Sequence, residues 1–317
     1  MLRHTGPARH TQSWKSRRDP CDSSRHLQCC GFRHTTNRFL LATAHEAQKG
    51  TPVIDSSPAA LRVRPRVWIG LSIWIGYTAV VFLVQMIAGV PYTELGRDGA
   101  TLFFGAGLSL IVGAMLLALT TSLLGWWRPA LFERKPSARW PIFVPAIMAV
   151  ALVVNLASTD WGSYDGAFFA ASLVLLLVGF TEEMTARGLL LVSLRSRLGE
   201  GWVWFLTSAL FGLMHLVNAA SGQDLLLTLQ QVGMAFLGGT VLYILRRTTG
   251  TLIWAMVLLG LWDFSTFAVG HGTPSAFAAL AGTINLIAGV LGLIVVAFVI
   301  RGAGEKISTT KMAAVAA

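Results

Sequence analysis

Charge is scarce in this sequence: only 13% of its 317 residues are Asp, Glu, Lys or Arg, about half the share usual in soluble domains. That scarcity argues against an ordinary water-soluble globule. Cysteine is rarer still, with Cys21, Cys29 and Cys30 the only three, so no disulfide framework holds the chain together. No CxxC pair exists either, and Cys29-Cys30 beside His26 and His34 reads as chance composition rather than a zinc knuckle. The formal charge of +10 suggests a nucleic-acid partner until its distribution is considered. Residues 1–66 hold twelve Lys/Arg and four acids, whereas residues 67–317 hold thirteen and eleven. The body is nearly balanced, so no nucleic acid is expected as a partner.

What the chain has in abundance is apolar length. It is 54% hydrophobic with a mean hydropathy of +0.62. Eight apolar runs stand out, at residues 67–89, 101–127, 141–158, 166–194, 202–220, 224–245, 251–269 and 276–300. Most approach the roughly 20 residues that cross a hydrocarbon core of about 30 Å. None alternates as a strand would, and a lipid-embedded backbone must satisfy its own hydrogen bonds. The expectation is an all-α, polytopic transmembrane bundle of eight spans, with residues 141–158 the shortest. Arg and Lys recur in every second loop, from Arg62, Arg64 and Arg66 to Arg195 and Arg197, Arg246 and Arg247, and Arg301, Lys306 and Lys311. That alternation puts both termini in the cytoplasm.

Three segments follow: a disordered basic stretch at 1–61, a membrane domain at 62–302, and a short cytoplasmic tail at 303–317. The first stretch is Arg/Ser/His-rich but lacks an apolar moment, and the apolar body is self-sufficient from about residue 60. No signal peptide is visible, and the first apolar run is long enough to remain as an anchor. The compact Gly/Ala/Leu/Trp-rich body suits a bacterial inner membrane.

Ionisable groups inside spans are costly and are functional candidates by default. There are five: Glu182, Glu183 and Arg187 in the fourth run, His215 in the fifth and Asp263 in the seventh. Asn218, Gln230, Gln231 and Asn285 are softer polar groups. At 1.5 Å per residue, Glu182, His215 and Asp263 all fall about 18–20 Å from the cytoplasmic face, which places three helices' groups at one level. Glu183 and Arg187 stand at i, i+4 and can pair on one helix face. Glu182, about 100° round the helix, is left to face another partner. Phe211 lies one turn before His215 and can wall the imidazole.

Glu182-Glu183-Met184-Thr185-Ala186-Arg187 reads as EExxxR, and Phe211-Gly212-Leu213-Met214-His215 reads as FxxxH. In order and spacing these resemble the CPBP intramembrane metalloproteases, the CAAX-protease and bacteriocin-processing (Abi) family, over residues 165–270. The resemblance implies eight helices around an intramembrane polar chamber. It also implies a peptidase in which Glu182 and His215 activate water, supported by Glu183 and Arg187, with Asp263 as third contributor. A divalent metal, zinc first, would then be held by His215, Glu182 and Asp263, and the substrates would be membrane peptides or lipidated proteins. One position departs from the pattern. Where the family's third motif reads HxxxN or HxxxD, this chain reads Leu259-Gly260-Leu261-Trp262-Asp263. Leucine can neither ligate a metal nor donate a hydrogen bond, and His271 lies eight residues past Asp263. Two other readings therefore stand beside the peptidase. One is a catalytically inactive relative that binds a membrane peptide or partner. The other is a transporter using Glu182, Glu183 and His215 as a proton relay, although no repeat or paired broken spans support it.

Overall fold

The computed structural model describes residues 61–301 and Ala303. The expectations for residues 1–60, including the cysteine and histidine cluster, and for the tail after Ala303 lie outside the described residues. Among those residues there is no strand, only an isolated bridge between Phe132 and Thr251.

Eight long helical segments carry the fold. They are α1 (Val67–Ala88), α2 (Gly99–Leu124), α3 (Trp140–Ser158), α4 (Gly166–Leu194), α5 (Glu200–Ala220), α6 (Leu225–Thr249), α7 (Ile253–Val269) and α8 (Ala278–Ile300). Seven are long and apolar enough to cross a membrane. The exception is α7, whose 17 residues reach about 26 Å, at the short limit for a span. The shortest span was expected at residues 141–158; Trp140–Ser158 instead reaches 19 residues, and α7 with 17 is the shortest of the eight. Large apolar side chains such as Ile87 stay 85% exposed, which lipid accommodates and water would not. The helix caps follow local chemistry. Asp98, Asp165 and Asp224 accept backbone N–H bonds at the starts of α2, α4 and α6, and Gly89, Gly125 and Gly250 end helices with positive φ.

One apolar core, with Met184, Leu189, Leu190, Val203, Tyr243 and Ile244 fully buried, lies where α4, α5 and α6 meet. A smaller cluster of Leu95, Leu102, Leu110, Phe168 and Leu175 joins the loop after α1 to α2 and the first half of α4. α1 is the loosest element, burying only Gly70 and Tyr77.

A second ionic cluster sits at the end of the bundle where α2, α4 and α6 finish and α5 starts. Glu133, fully buried, binds Arg195 at 3.0 Å and also Arg246 and Arg247. Arg195 forks onto Glu200 through Nε and Nη2, and Tyr243 donates its hydroxyl to Glu200 at 2.6 Å. Arg246 and Arg247 were expected in a loop past the sixth run. The helix instead continues to Thr249 and buries both, because Glu133 supplies the counter-charge that makes burial tolerable.

Candidate active site

The fourth span is irregular where its chemistry lies. α4 breaks its regular pitch at Val174–Leu175 and becomes π-helical over Met184–Leu190, immediately after the two glutamates. Such insertions are frequent at functional sites because they re-aim side chains and free carbonyls. Here the Arg187 carbonyl accepts a hydrogen bond from Arg246 Nη1, which ties the π-helical turn to the Glu133 cluster.

The expected Glu183–Arg187 pair is present. Glu183 Oε1 accepts from Arg187 Nη1 at 2.7 Å, and both side chains are fully buried. The Arg187 guanidinium also lies over the Phe211 ring, 3.9 Å from its centroid. Gly239 on α6 leaves room for it, since a Cβ there would collide with Nη2. Glu182 points elsewhere. It is only half-buried and lines a cavity of about 110 Å³ together with His215 and Asp263, which are likewise partly accessible. A water needs roughly 10–15 Å³ by the same measure, so several fit.

The His215 ring is oriented by its own helix. The Phe211 carbonyl accepts at 3.0 Å from Nδ1, and a carbonyl cannot donate. In the neutral ring Nδ1 therefore carries the proton and Nε2 the lone pair. The Phe211 ring meets the imidazole edge-on, 5.4 Å between centroids, as one helical turn between them allows. Tyr77 of α1 completes the wall and donates to Thr181 Oγ1 at 3.0 Å. The sequence reading did not single out Tyr77, nor Gln85 two turns later, although Gln85 is the one amide side chain in that apolar run.

Asp263 is positioned by the contact between α4 and α7. α4 and α7 touch backbone to backbone: a Cβ on Gly179 would strike Met256 O and Gly260 N, and one on Gly260 would strike Leu176 O. The helices therefore run antiparallel through this contact. Glu182 lies three residues beyond Gly179, and Asp263 three beyond Gly260. They fall on opposite sides of the crossing, roughly 9 Å apart along the helix axes. The side chains of Glu182, His215 and Asp263 nevertheless line one cavity. Leu259 occupies the turn between them on α7 and is buried in the apolar core.

The metal expectation fares accordingly. A catalytic zinc takes three protein ligands and keeps one position open. Among the described residues no three His, Cys, Asp or Glu side chains are grouped closely enough to hold an ion. The turn before Asp263 on α7 presents leucine, at residue 259. The set Glu182, His215 and Asp263 as arranged here does not fit a three-ligand site. His271 offers no replacement, because it stacks on Phe168 at 3.8 Å and binds the Gly96 carbonyl through Nδ1.

No curated protein matches the chain. Residues 164–265, which carry Glu182, Glu183, Arg187, His215 and Asp263, match the protease family described as Rce1-like, type II CAAX prenyl endopeptidase, the same family that the motifs resemble.

Proposed function

We propose that this chain is an intramembrane endopeptidase of the CAAX-processing type, acting on membrane-associated peptides or lipidated protein segments. The observation that carries the reading is the separation of roles around one cavity. Glu182 and His215 share a chamber with room for water, while Glu183 and Arg187 are locked behind it in a dry pair. In this mechanism His215 Nε2 accepts a hydrogen bond from a water, and Glu182 takes a proton as the water oxygen attacks the scissile carbonyl. Collapse of the tetrahedral adduct breaks the C–N bond, and Glu182 returns the proton to the leaving amine nitrogen. Arg187 acts at one remove: its contact with Phe211 holds the residue whose carbonyl sets the His215 tautomer. The alternation of basic loops favours cytoplasmic termini, and the composition favours a bacterial inner membrane.

The test is purified protein in vesicles with labelled prenylated and bacteriocin-type peptides. Cleavage is expected in the wild type, falling by at least about a hundredfold in Glu182→Ala and in His215→Ala. Zinc stoichiometry measured on the same protein decides the cofactor. A second reading, a non-catalytic relative that binds membrane peptides, is favoured by the buried Leu259. It takes over if no peptide is cleaved while binding is unchanged in both variants.

A further inference from the structure

A second cavity, of about 330 Å³, lies away from the chamber and is lined by Arg139, Ile142, Thr248, Thr249 and Trp254. These residues belong to the start of α3, the end of α6 and the start of α7. The cavity therefore stands at the ends of spans, at the level of lipid headgroups, beside the Glu133 cluster that Arg247 joins. The surrounding aromatic residues mark the same level. Trp140 and Trp254 are 52% and 58% exposed, and indole rings collect at the membrane–water boundary. Trp140 stacks on Phe143, 6.1 Å between centroids, and meets Phe298 edge-on at 5.6 Å.

Three arginines at this end, Arg195, Arg246 and Arg247, are engaged by Glu133. Arg139 is exposed and has no carboxylate partner among the described residues, and no Asp or Glu lines the cavity. Its guanidinium presents donors in a fork that matches two oxygens of a phosphate. The two hydroxyls face the opposite way. Thr248 donates to the Ile244 carbonyl at 2.9 Å and Thr249 to the Leu245 carbonyl at 2.7 Å. With the proton so engaged, each Oγ1 can only accept from a ligand. The cavity thus sets a donor for an anion beside acceptors for hydroxyl groups, in a volume typical of small-molecule sites. From Trp254 an exposed apolar track continues to Val257, one turn along α7. A soluble anion makes no use of that track, whereas an acyl chain lies along it.

We infer that this cavity binds an anionic phospholipid with a hydroxyl-bearing headgroup. The phosphate meets Arg139, headgroup hydroxyls donate to Thr248 and Thr249, and an acyl chain leaves past Trp254. The site is separate from the Glu182–His215 chamber and does not depend on the peptidase reading. To test it, the purified chain in neutral detergent is titrated with three dioleoyl lipids, and bound lipid is counted by native mass spectrometry. Phosphatidylglycerol carries the charge and the hydroxyls, phosphatidylethanol the same charge without hydroxyls, and phosphatidylcholine neither net charge nor hydroxyls. Free glycerol 3-phosphate is the water-soluble competitor.

Phosphatidylethanol is expected to bind about fivefold tighter than phosphatidylcholine, the worth of one basic side chain at a lipid surface. Phosphatidylglycerol should bind about fivefold tighter again through its hydroxyls. Arg139→Gln should abolish the preference for charge without lowering the melting temperature, because the side chain is exposed and unpaired. Arg134→Gln, exposed at the same end but outside the cavity, should leave both preferences intact. Equal losses in Arg139→Gln and Arg134→Gln overturn the inference in favour of diffuse surface charge. Equal binding of phosphatidylglycerol and phosphatidylethanol overturns it by removing hydroxyl recognition. Displacement of the lipid by millimolar glycerol 3-phosphate overturns it in favour of a water-soluble phosphate.

Discussion

The Arg187 guanidinium rests 3.9 Å from the centroid of the Phe211 ring, and the carbonyl of that same Phe211 receives the His215 Nδ1–H at 3.0 Å. One phenylalanine thus joins the ion pair on α4 to the imidazole on α5. Removing Arg187 alone strands Glu183 as a buried, unpaired carboxylate, so Arg187→Met is expected to destabilise the protein by about 3–5 kcal/mol. Replacing both partners, Glu183→Leu with Arg187→Met, should recover most of that loss, because a matched apolar pair has no charge to desolvate. Thermal melts in detergent compare the two. A double variant no more stable than the single one would show that the pair holds the site by more than charge cancellation.

A second prediction concerns pH. Burial pushes the Glu133 carboxyl up, but Arg246, Arg195 and Arg247 together outweigh it and hold it down at about 2. A depressed carboxyl stabilises the fold fully above its unfolded value near 4.3 and loses that contribution as pH falls through the folded value. The contribution is on the order of 3 kcal/mol. Glu133→Gln should therefore melt well below the wild type at pH 7, and the gap should narrow between about pH 5 and pH 2. A gap that stays constant over that range would remove the ionic account of the cluster.

The α4–α7 crossing makes a steric prediction. Gly179→Ala and Gly260→Ala each drive a methyl group into backbone of the facing helix, which side-chain repacking cannot relieve. A cost of about 1–3 kcal/mol or more is expected, with loss of activity as Glu182 and Asp263 move apart. Gly233, in the interior of α6 with open space around it, is the control. There alanine should be neutral or stabilise by about 0.5–1 kcal/mol. Equal behaviour of all three variants would mean the helices do not meet as described.

Leu259 supplies the fourth. It stands one turn before Asp263 on α7, buried in the apolar core, so Leu259→His would add an imidazole one turn from a carboxyl group of the chamber. Without metal the variant should lose about 1–3 kcal/mol from an unpartnered buried polar ring, and zinc should raise its melting temperature while leaving the wild type unmoved. Binding is read by calorimetry and metal analysis, independently of activity. A variant indifferent to zinc would mean that residue 259 does not face the chamber.

The helical segments and the Glu183–Arg187 pair were legible because each rests on local signals. Apolar length marks the helices, and the i, i+4 spacing brings Glu183 to Arg187 and Phe211 to His215. What escaped depends on long-range geometry. Arg246 and Arg247 look like flanking loop charges until Glu133, in a different loop, is found against them. The close crossing of α4 and α7 at Gly179 and Gly260 is likewise invisible in depth counted along separate helices. Gln85 was passed over because one amide in an apolar run carries no motif.

The Glu133 cluster also imposes an order of events during synthesis. Glu133 precedes Arg246 by 113 positions, so it leaves the ribosome long before two of its three arginines exist. Until α6 is complete, the loop between α2 and α3 carries an acid with only Arg195, one of its three arginines, to receive it. That end of the bundle can therefore seal only after α6 has been delivered, and the sealing draws the π-helical turn of α4 into place through the Arg246 bond to the Arg187 carbonyl. The chamber is assembled late, as a product of the last connections rather than of the early spans.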